Sequence, residues 1–189
     1  GNVKFVKLFL KYDADPNLKD KQGKTALDMA VCRYSNAEML KLVLQYNPQI
    51  NFQDEYGNNA LTLAVNNFDN YKGMIPLLLE AGADPDSKVG SAGKINFTAL
   101  GTMTGKALIS ENEEDYQIIE MFLSHGADPN QAPKSLTTPL MQAAYKGNVK
   151  FVKLFLKYDA DPNLKDKQGK TALDMAKQKN HQQVIDLLQ

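Results

Sequence analysis

The sequence predicts an all-α solenoid of stacked helix–turn–helix units joined by projecting loops, and three observations carry that expectation. A short polar motif recurs: YDADPN ends at Asn17 and again at Asn163, NPQIN ends at Asn51, GADPD at Asp86 and HGADPN at Asn130. The steps between these landmarks are 34, 35, 44 and 33 residues, a period near 33 with one insertion. Each landmark also follows an apolar segment of helical periodicity. Finally, thirty residues, GNVKFVKLFLKYDADPNLKDKQGKTALDMA, occur twice unchanged, at Gly1–Ala30 and Gly147–Ala176. Repeats related only by fold keep core and turn positions while solvent-facing residues drift. Identity that includes the lysines therefore marks a segment copied recently or by design.

The elements of one unit follow in order. TPLMQAAYKG, residues 138–147, opens with a threonine cap, has proline at the first helical position and stops at glycine, the start and stop signals of a first helix. Its alanines Ala143 and Ala144 permit close helix approach. A second helix follows from Asn148 to Tyr158, where Phe151, Val152, Leu154, Phe155 and Leu156 cover a wide apolar face and Lys150, Lys153 and Lys157 point away. Alanine-aspartate-proline-asparagine then turns the chain, and DKQGKT, residues 166–171, supplies the glycine of a tight turn before the next unit.

TPLMQAAYKGNVKFVKLFLKYDADPN resembles an ankyrin repeat, with its TPLH-like opening, AA-x-x-G turn, apolar second helix and G-A-D-x-N loop. The resemblance covers essentially the whole chain and implies one ankyrin repeat domain over residues 1–189, with β-hairpin-like loops. It divides into a half repeat at 1–19, repeats at 20–53, 54–89, 90–131 and 132–165, and a terminal cap at 166–189. Two repeats depart from the pattern. The one from Asp20 has Arg33, Tyr34 and Ser35 where the inter-helix glycine belongs. The one from Gly90 carries SKVGSAGKINF, residues 87–97, in its loop and ALISENEED, residues 107–115, between its helices, which accounts for the step of 44.

Composition narrows the function classes. The 189 residues carry zero net charge, so long-range attraction to nucleic acid or to an anionic membrane is not expected. Arg33 is the sole arginine, which nearly excludes bidentate phosphate or guanine clamps. Cys32 is the sole cysteine, so an intramolecular disulfide is impossible and a cysteine zinc site implausible; a reducing, cytoplasmic location fits. No apolar run approaches the roughly 20 residues a membrane span needs.

Catalytic and metal motifs fail on inspection, and neither a catalytic residue nor a cofactor nor a metal site is expected. Gly23-Lys24-Thr25 and Gly169-Lys170-Thr171 imitate the end of a phosphate-binding loop, but Leu18 and Leu164 stand where its first glycine belongs. A turn glycine followed by a helix cap is the better reading. His125 and His181 have no cysteine or histidine partner at ligand spacing. Glu111, Glu113, Glu114 and Asp115 lack the alternating oxygens and glycine of a calcium loop and read as a solvated insertion with acid near a helix N-terminus. Ser91, in GSAG, has no identifiable base.

The expected function is therefore binding of another protein, without catalysis. The ankyrin resemblance implies a concave surface made of loop tips and exposed first-helix positions. The tips are residues 20–23, 54–57, 87–94, 134–137 and 166–169. The partner-binding candidates are Arg33, Tyr34, Tyr56, Thr62, Asn66, Phe68, Thr102, Thr104, Met141, Gln142 and Tyr145, with Asp28 beside them on a first helix. Aromatics and arginine dominate interface hot spots, which singles out Arg33, Tyr34, Tyr56, Phe68 and Tyr145. Packing against the neighbouring repeat is the competing reading for each. A central surface between Arg33 and Tyr145 is expected to lose more than about tenfold in affinity on Tyr56→Ala with Phe68→Ala.

Two further readings stay open. A second reading makes the chain the targeting part of a larger enzyme or of a secreted bacterial effector acting in a host cytosol, which the lysine and asparagine bias accommodates. The chain reads also as a self-assembling array, because the half repeat at Gly1 lacks the first helix that residues 138–144 give its later copy. Upstream residues, exchange or stacking between molecules, and a tolerated frayed end all account for that uncapped start. The last repeat differs: Val184, Ile185, Leu187 and Leu188 oppose Gln182, Gln183 and Asp186, as a terminal cap requires.

Overall fold

The computed structural model describes residues 1–189 except Gly1, Tyr34, Ser35, 90–96, Glu111 and 133–136. It divides into two compact units, Gly1–Lys94 and Ile95–Gln189. The boundary falls inside the lengthened loop after the third landmark.

The first unit contains α1 (Val3–Lys11), α2 (Ala26–Cys32), α3 (Ala37–Leu44), α4 (Ala60–Asn66), the single turn α5 (Phe68–Tyr71), a 3₁₀ turn (Lys72–Met74), α6 (Ile75–Glu80) and the two-residue strand β1 (Lys88–Val89). The second contains β2 (Phe97–Thr98), α7 (Ala99–Ser110), α8 (Glu113–Ser124), α9 (Pro139–Lys146), α10 (Val149–Lys157), α11 (Ala172–Gln178) and α12 (Gln182–Leu188). The fold is the all-α repeat architecture that the sequence predicts. The helices are short, and isolated helices of this length are marginal in water, so packing of repeat on repeat stabilises them. Within the first unit α2 packs on α3 and α4; within the second α9 packs on α7, α10 and α11.

The recurring polar motif has a direct structural purpose. The aspartate of each Asp-Pro pair folds its own loop: Asp15, Asp84, Asp128 and Asp161 each accept a hydrogen bond from the backbone N–H two residues on, at 2.8–3.0 Å. The asparagine ties one repeat to the next. Asn17 Oδ1 accepts from Gln49 N at 2.7 Å, Asn51 Oδ1 from Asp84 N at 2.8 Å, and Asn130 Oδ1 from Asp161 N at 2.7 Å. A period near 33 is thus the distance along the chain between groups that touch in adjacent repeats.

Turns and caps obey equally local rules. Asp20, Asp54 and Asp166 each accept through Oδ1 from backbone N–H groups two and four residues on, at 2.8–2.9 Å. The glycine three residues after each, Gly23, Gly57 or Gly169, lies at φ +76° to +79°, a left-handed conformation that costs side-chain-bearing residues energy. Thr25 and Thr171 then cap α2 and α11, with Asp28 and Asp174 closing the reciprocal bond back to the cap N–H. These are the two segments whose Gly-Lys-Thr imitates a phosphate loop; they are a turn glycine and a helix cap.

One boundary departs from the sequence reading. Residues 107–110 belong to α7 and not to an insertion between helices. Ala107 and Leu108 are buried and continue the stripe begun by Met103 and Thr104, so the helix runs on for a further turn. α8 begins at Glu113, where Asn112 Oδ1 caps it at Asp115 N, 2.8 Å.

Candidate functional site

The second unit carries a groove of about 330 Å³ on its first helices. α7 contributes Gly105, Leu108 and Ile109; α9 contributes Met141, Gln142, Tyr145 and Lys146; α11 contributes Met175; Thr137, Asp166 and Gln168 stand at the loop end. These residues meet because each first helix presents the same face at successive repeats, with α9 between α7 and α11. The capping bond from Met141 N to Thr138 Oγ1, at 3.3 Å, fixes the start of α9, and burial of Leu140, Met141, Ala143 and Ala144 leaves Gln142 and Tyr145 toward the groove. Gly105 leaves room beside Gln142, whose Oε1 would lie 3.6 Å from a Cβ placed there.

The groove has an apolar floor, with Lys146 and Asp166 as its charged lining and Lys179 beside Tyr145. Ile109 is 78% exposed and Tyr145 41% exposed, both large side chains facing water on a helix end. The Lys179 ammonium stands 4.6 Å from the Tyr145 ring centroid. Its hydrogen bond and charge, reinforced by Lys146 and Lys170, hold the Tyr145 phenol below its ordinary pKa. Lys170 Nζ in turn donates to Gln178 Oε1 at 2.7 Å. An apolar floor with the Lys146 ammonium at its edge suits an apolar side chain, with a carboxylate placed on the Lys146 and Lys179 side, away from Asp166.

The residues singled out from sequence separate into three groups. Met141, Gln142 and Tyr145 come together in this groove, with Met141 forming buried floor and Tyr145 an exposed wall. Arg33, Tyr56 and Asn66 are exposed in the first unit, and Thr102 is half-buried in the second. Thr62, Phe68 and Thr104 are corrected: they are core residues. Thr62 Oγ1 accepts from Asn59 N at 2.8 Å, Thr104 Oγ1 donates to the Leu100 carbonyl at 2.8 Å, and Phe68 is 3% exposed at the start of α5. Asp28 is likewise buried in its capping box. Phe68→Ala would therefore report loss of core rather than loss of contact. Tyr34 lies outside the described residues.

Residue type alone does not mark Leu108, Ile109 and Met175, which line the groove, or Lys179, which stands over the Tyr145 ring. Ile109 lies in the segment expected as an insertion, and the signal that places it on α7 is the unbroken helical spacing of Met103, Ala107 and Leu108. Lys179 follows the identical segment, where the two copies diverge.

The remaining chemistry-bearing groups have structural partners. His125 Nδ1 donates to the Met121 carbonyl at 2.9 Å, and His181 Nε2 to the Tyr145 carbonyl at 3.1 Å. Burial pushes the Cys32 thiol up, away from thiolate. Among the described residues no group of three or more His, Cys, Asp or Glu is placed to hold a metal, and no helix is long and apolar enough to cross a membrane.

Comparison with known proteins agrees with this architecture. Residues 1–89 and 107–189 match the family of ankyrin repeats, in three copies. Among curated proteins none matches the chain. Similar solved structures include a chain from the Bd0816 predatory endopeptidase of Bdellovibrio bacteriovorus in complex with immunity protein Bd3460, at 28% identity and TM-score 0.73, covering 99% of this chain and 91% of that one. The ankyrin repeat domain of Bcl-3, a member of the IκB protein family, is 26% identical with TM-score 0.74, covering 99% of this chain and 77% of that one. An ankyrin repeat domain from Acinetobacter baumannii AYE, 24% identical with TM-score 0.78, covers 99% of this chain and 91% of that one and shares the fold.

Proposed function

Because the chain belongs to the ankyrin repeat family, whose repeats are in general protein–protein interaction modules, we propose that residues 95–189 bind a partner protein in the groove between α7, α9 and α11. The observation that carries this reading is the exposure of Ile109 and Tyr145 at the edge of an apolar groove whose floor, Leu108, Met141 and Met175, is already fixed by the core. The partner supplies an apolar side chain to that floor and a carboxylate on the Lys146 and Lys179 side. Covering one apolar side chain fully stabilises the complex by about 1.5–3 kcal/mol. Helices held by capping bonds and core packing lose little freedom on association, so more of that gain survives as affinity. In the first unit, Arg33, Tyr56 and Asn66 are the exposed candidates for a further contact surface.

Peptides selected from a displayed random library on the intact chain test this. Enrichment of sequences with an apolar anchor beside Asp or Glu is expected, with affinity falling more than about tenfold, near 1.4 kcal/mol, on Ile109→Ala with Tyr145→Ala. Both side chains are exposed, so the thermal midpoint should hold. Binders indifferent to the double substitution would place the interaction elsewhere.

A further inference from the structure

Lysines of the second unit meet two different fates. Between α8 and α10 two ammoniums are matched: Lys150 pairs with Glu113, and Lys157 Nζ donates to Glu120 Oε1 at 2.9 Å. At the end of α9 three are not. Lys146 follows Tyr145 in the last turn of that helix. Lys170 Nζ reaches a neutral partner, Gln178 Oε1, at 2.7 Å, and Lys179, the next residue, stands 4.6 Å from the Tyr145 ring centroid. Among the described residues none of these three forms an ion pair. Asp166, the acid of the groove lining, is buried and turned into its own loop, where Oδ1 accepts from Gln168 N and Lys170 N at 2.8 Å. Like charges gathered without a counter-charge leave a positive potential that an anion relieves.

The three charges also converge on one point. Packing of α9 on α11 brings them around a single phenol, which all three favour in its ionised form. Convergence, as opposed to spacing along the groove, fits a compact anion with more than one charge. A carboxylate brings one charge and two oxygens. A phosphate monoester brings a charge of about −1.5 to −2 at neutral pH and three acceptor oxygens, one for each ammonium. Lysine meets such a group as a point charge, with no planar fork to align.

We propose that Lys146, Lys170 and Lys179, gathered around the Tyr145 hydroxyl, form an anion subsite at the end of the groove that takes a phosphorylated residue of the partner beside its apolar anchor. The subsite depends on the groove between α7, α9 and α11 being the contact surface, and it makes the partner's phosphorylation state a determinant of affinity.

The test uses the intact chain in two arms. Amide chemical-shift mapping with inorganic phosphate, against chloride of equal ionic strength, needs no apolar anchor. Saturable shifts at Tyr145, Lys146, Lys170 and Lys179 are expected, and they should vanish in Lys170→Gln with Lys179→Gln. Lys179 is exposed and Lys170 half-buried, and an unchanged remainder of the spectrum shows that the fold is kept. No shifts up to about 50 mM phosphate, or shifts indifferent to the substitutions, would overturn the subsite.

In the second arm, fluorescence anisotropy compares peptides that place leucine beside phosphoserine, glutamate or serine. Phosphoserine should bind about tenfold tighter than glutamate, and the ratio should fall within about threefold in the lysine double variant. Ile109→Ala should weaken every peptide and keep the ratio. Equal affinity for phosphoserine and glutamate, or a preference that survives loss of the lysines, overturns the subsite with the groove still standing. Peptides that fail to bind, or that ignore Ile109→Ala, while phosphate still shifts the lysine amides, overturn the groove and with it the anchored partner.

Discussion

His181 sits over Gly147, its Nε2 donating to the Tyr145 carbonyl at 3.1 Å and its ring occupying the place of a Cβ. Gly147 lies at φ +73° and ends α9, so one residue is held to glycine by both backbone conformation and a neighbour from the next repeat. Gly57 shares the left-handed conformation at φ +79° with open space around it. Gly57→Ala should therefore cost about 1 kcal/mol, from conformation alone. Gly147→Ala should cost about 2–4 kcal/mol, because the ring must also move. Urea denaturation of the two variants compares them directly, and equal losses would remove the role given to His181.

Identical sequence should not mean identical tolerance. Phe151→Ala opens a cavity in a packed core and should destabilise by about 3–5 kcal/mol. Phe5→Ala removes a side chain that is mostly in water and should stay within about 0.5 kcal/mol. Thermal or chemical melts of both variants read the contrast, and a large loss at Phe5 would mean that α1 is covered in solution.

The inter-repeat asparagines should behave as staples. Asn130 accepts from Asp161 N and donates through Nδ2 to the Asp159 carbonyl at 3.1 Å. Asn130→Ala should cost about 1–2 kcal/mol for the two bonds, and Asn130→Asp, which keeps only the acceptor, should fall between it and the parent. Hydrogen exchange at the Asp161 amide is the site-specific measurement, expected to accelerate in Asn130→Ala and to stay protected in Asn130→Asp.

The carboxyls of two copies of one capping box should be shifted in opposite directions. Burial raises the Asp28 carboxyl above 3.8, against the hydrogen bonds it accepts from Thr25, and Asp54 adds to the rise. Asp174 is exposed, and the hydrogen bonds it accepts from Thr171 lower it below 3.8. A raised folded-state pKa means that the native state takes up the proton first, so the Asp28 contribution becomes more favourable as pH falls through its folded pKa toward 3.8. The Asp174 contribution is present above 3.8 and is lost as pH falls below it through the folded pKa. Carboxyl carbon NMR titration resolves the two, and a common midpoint would contradict the burial difference.

Much of this was legible from local chemistry. The aspartates and asparagines of the recurring motif, the turn glycines and the threonine caps act through bonds to groups a few residues away or one repeat along. Their spacing therefore appears in the sequence as a period. The candidate surface was only partly legible. Met141, Gln142 and Tyr145 stand on one helix, where residue type marks them together; Ile109 and Met175 reach the same groove from other repeats, which spacing along one helix does not show. Phe68 shows why residue type alone misleads: an aromatic near a first-helix end is equally suited to an interface or to a core, and α5 turns it inward.

The sequence by itself determined the repeat length, the two-helix unit, the turns and the family, because those rest on interactions short in sequence or fixed by periodicity. Only the tertiary structure decided which surfaces are covered. Phe5 and Phe151 share one thirty-residue segment and have opposite exposures, since burial depends on what packs against that segment from outside it, and no segment carries that information in its own residues.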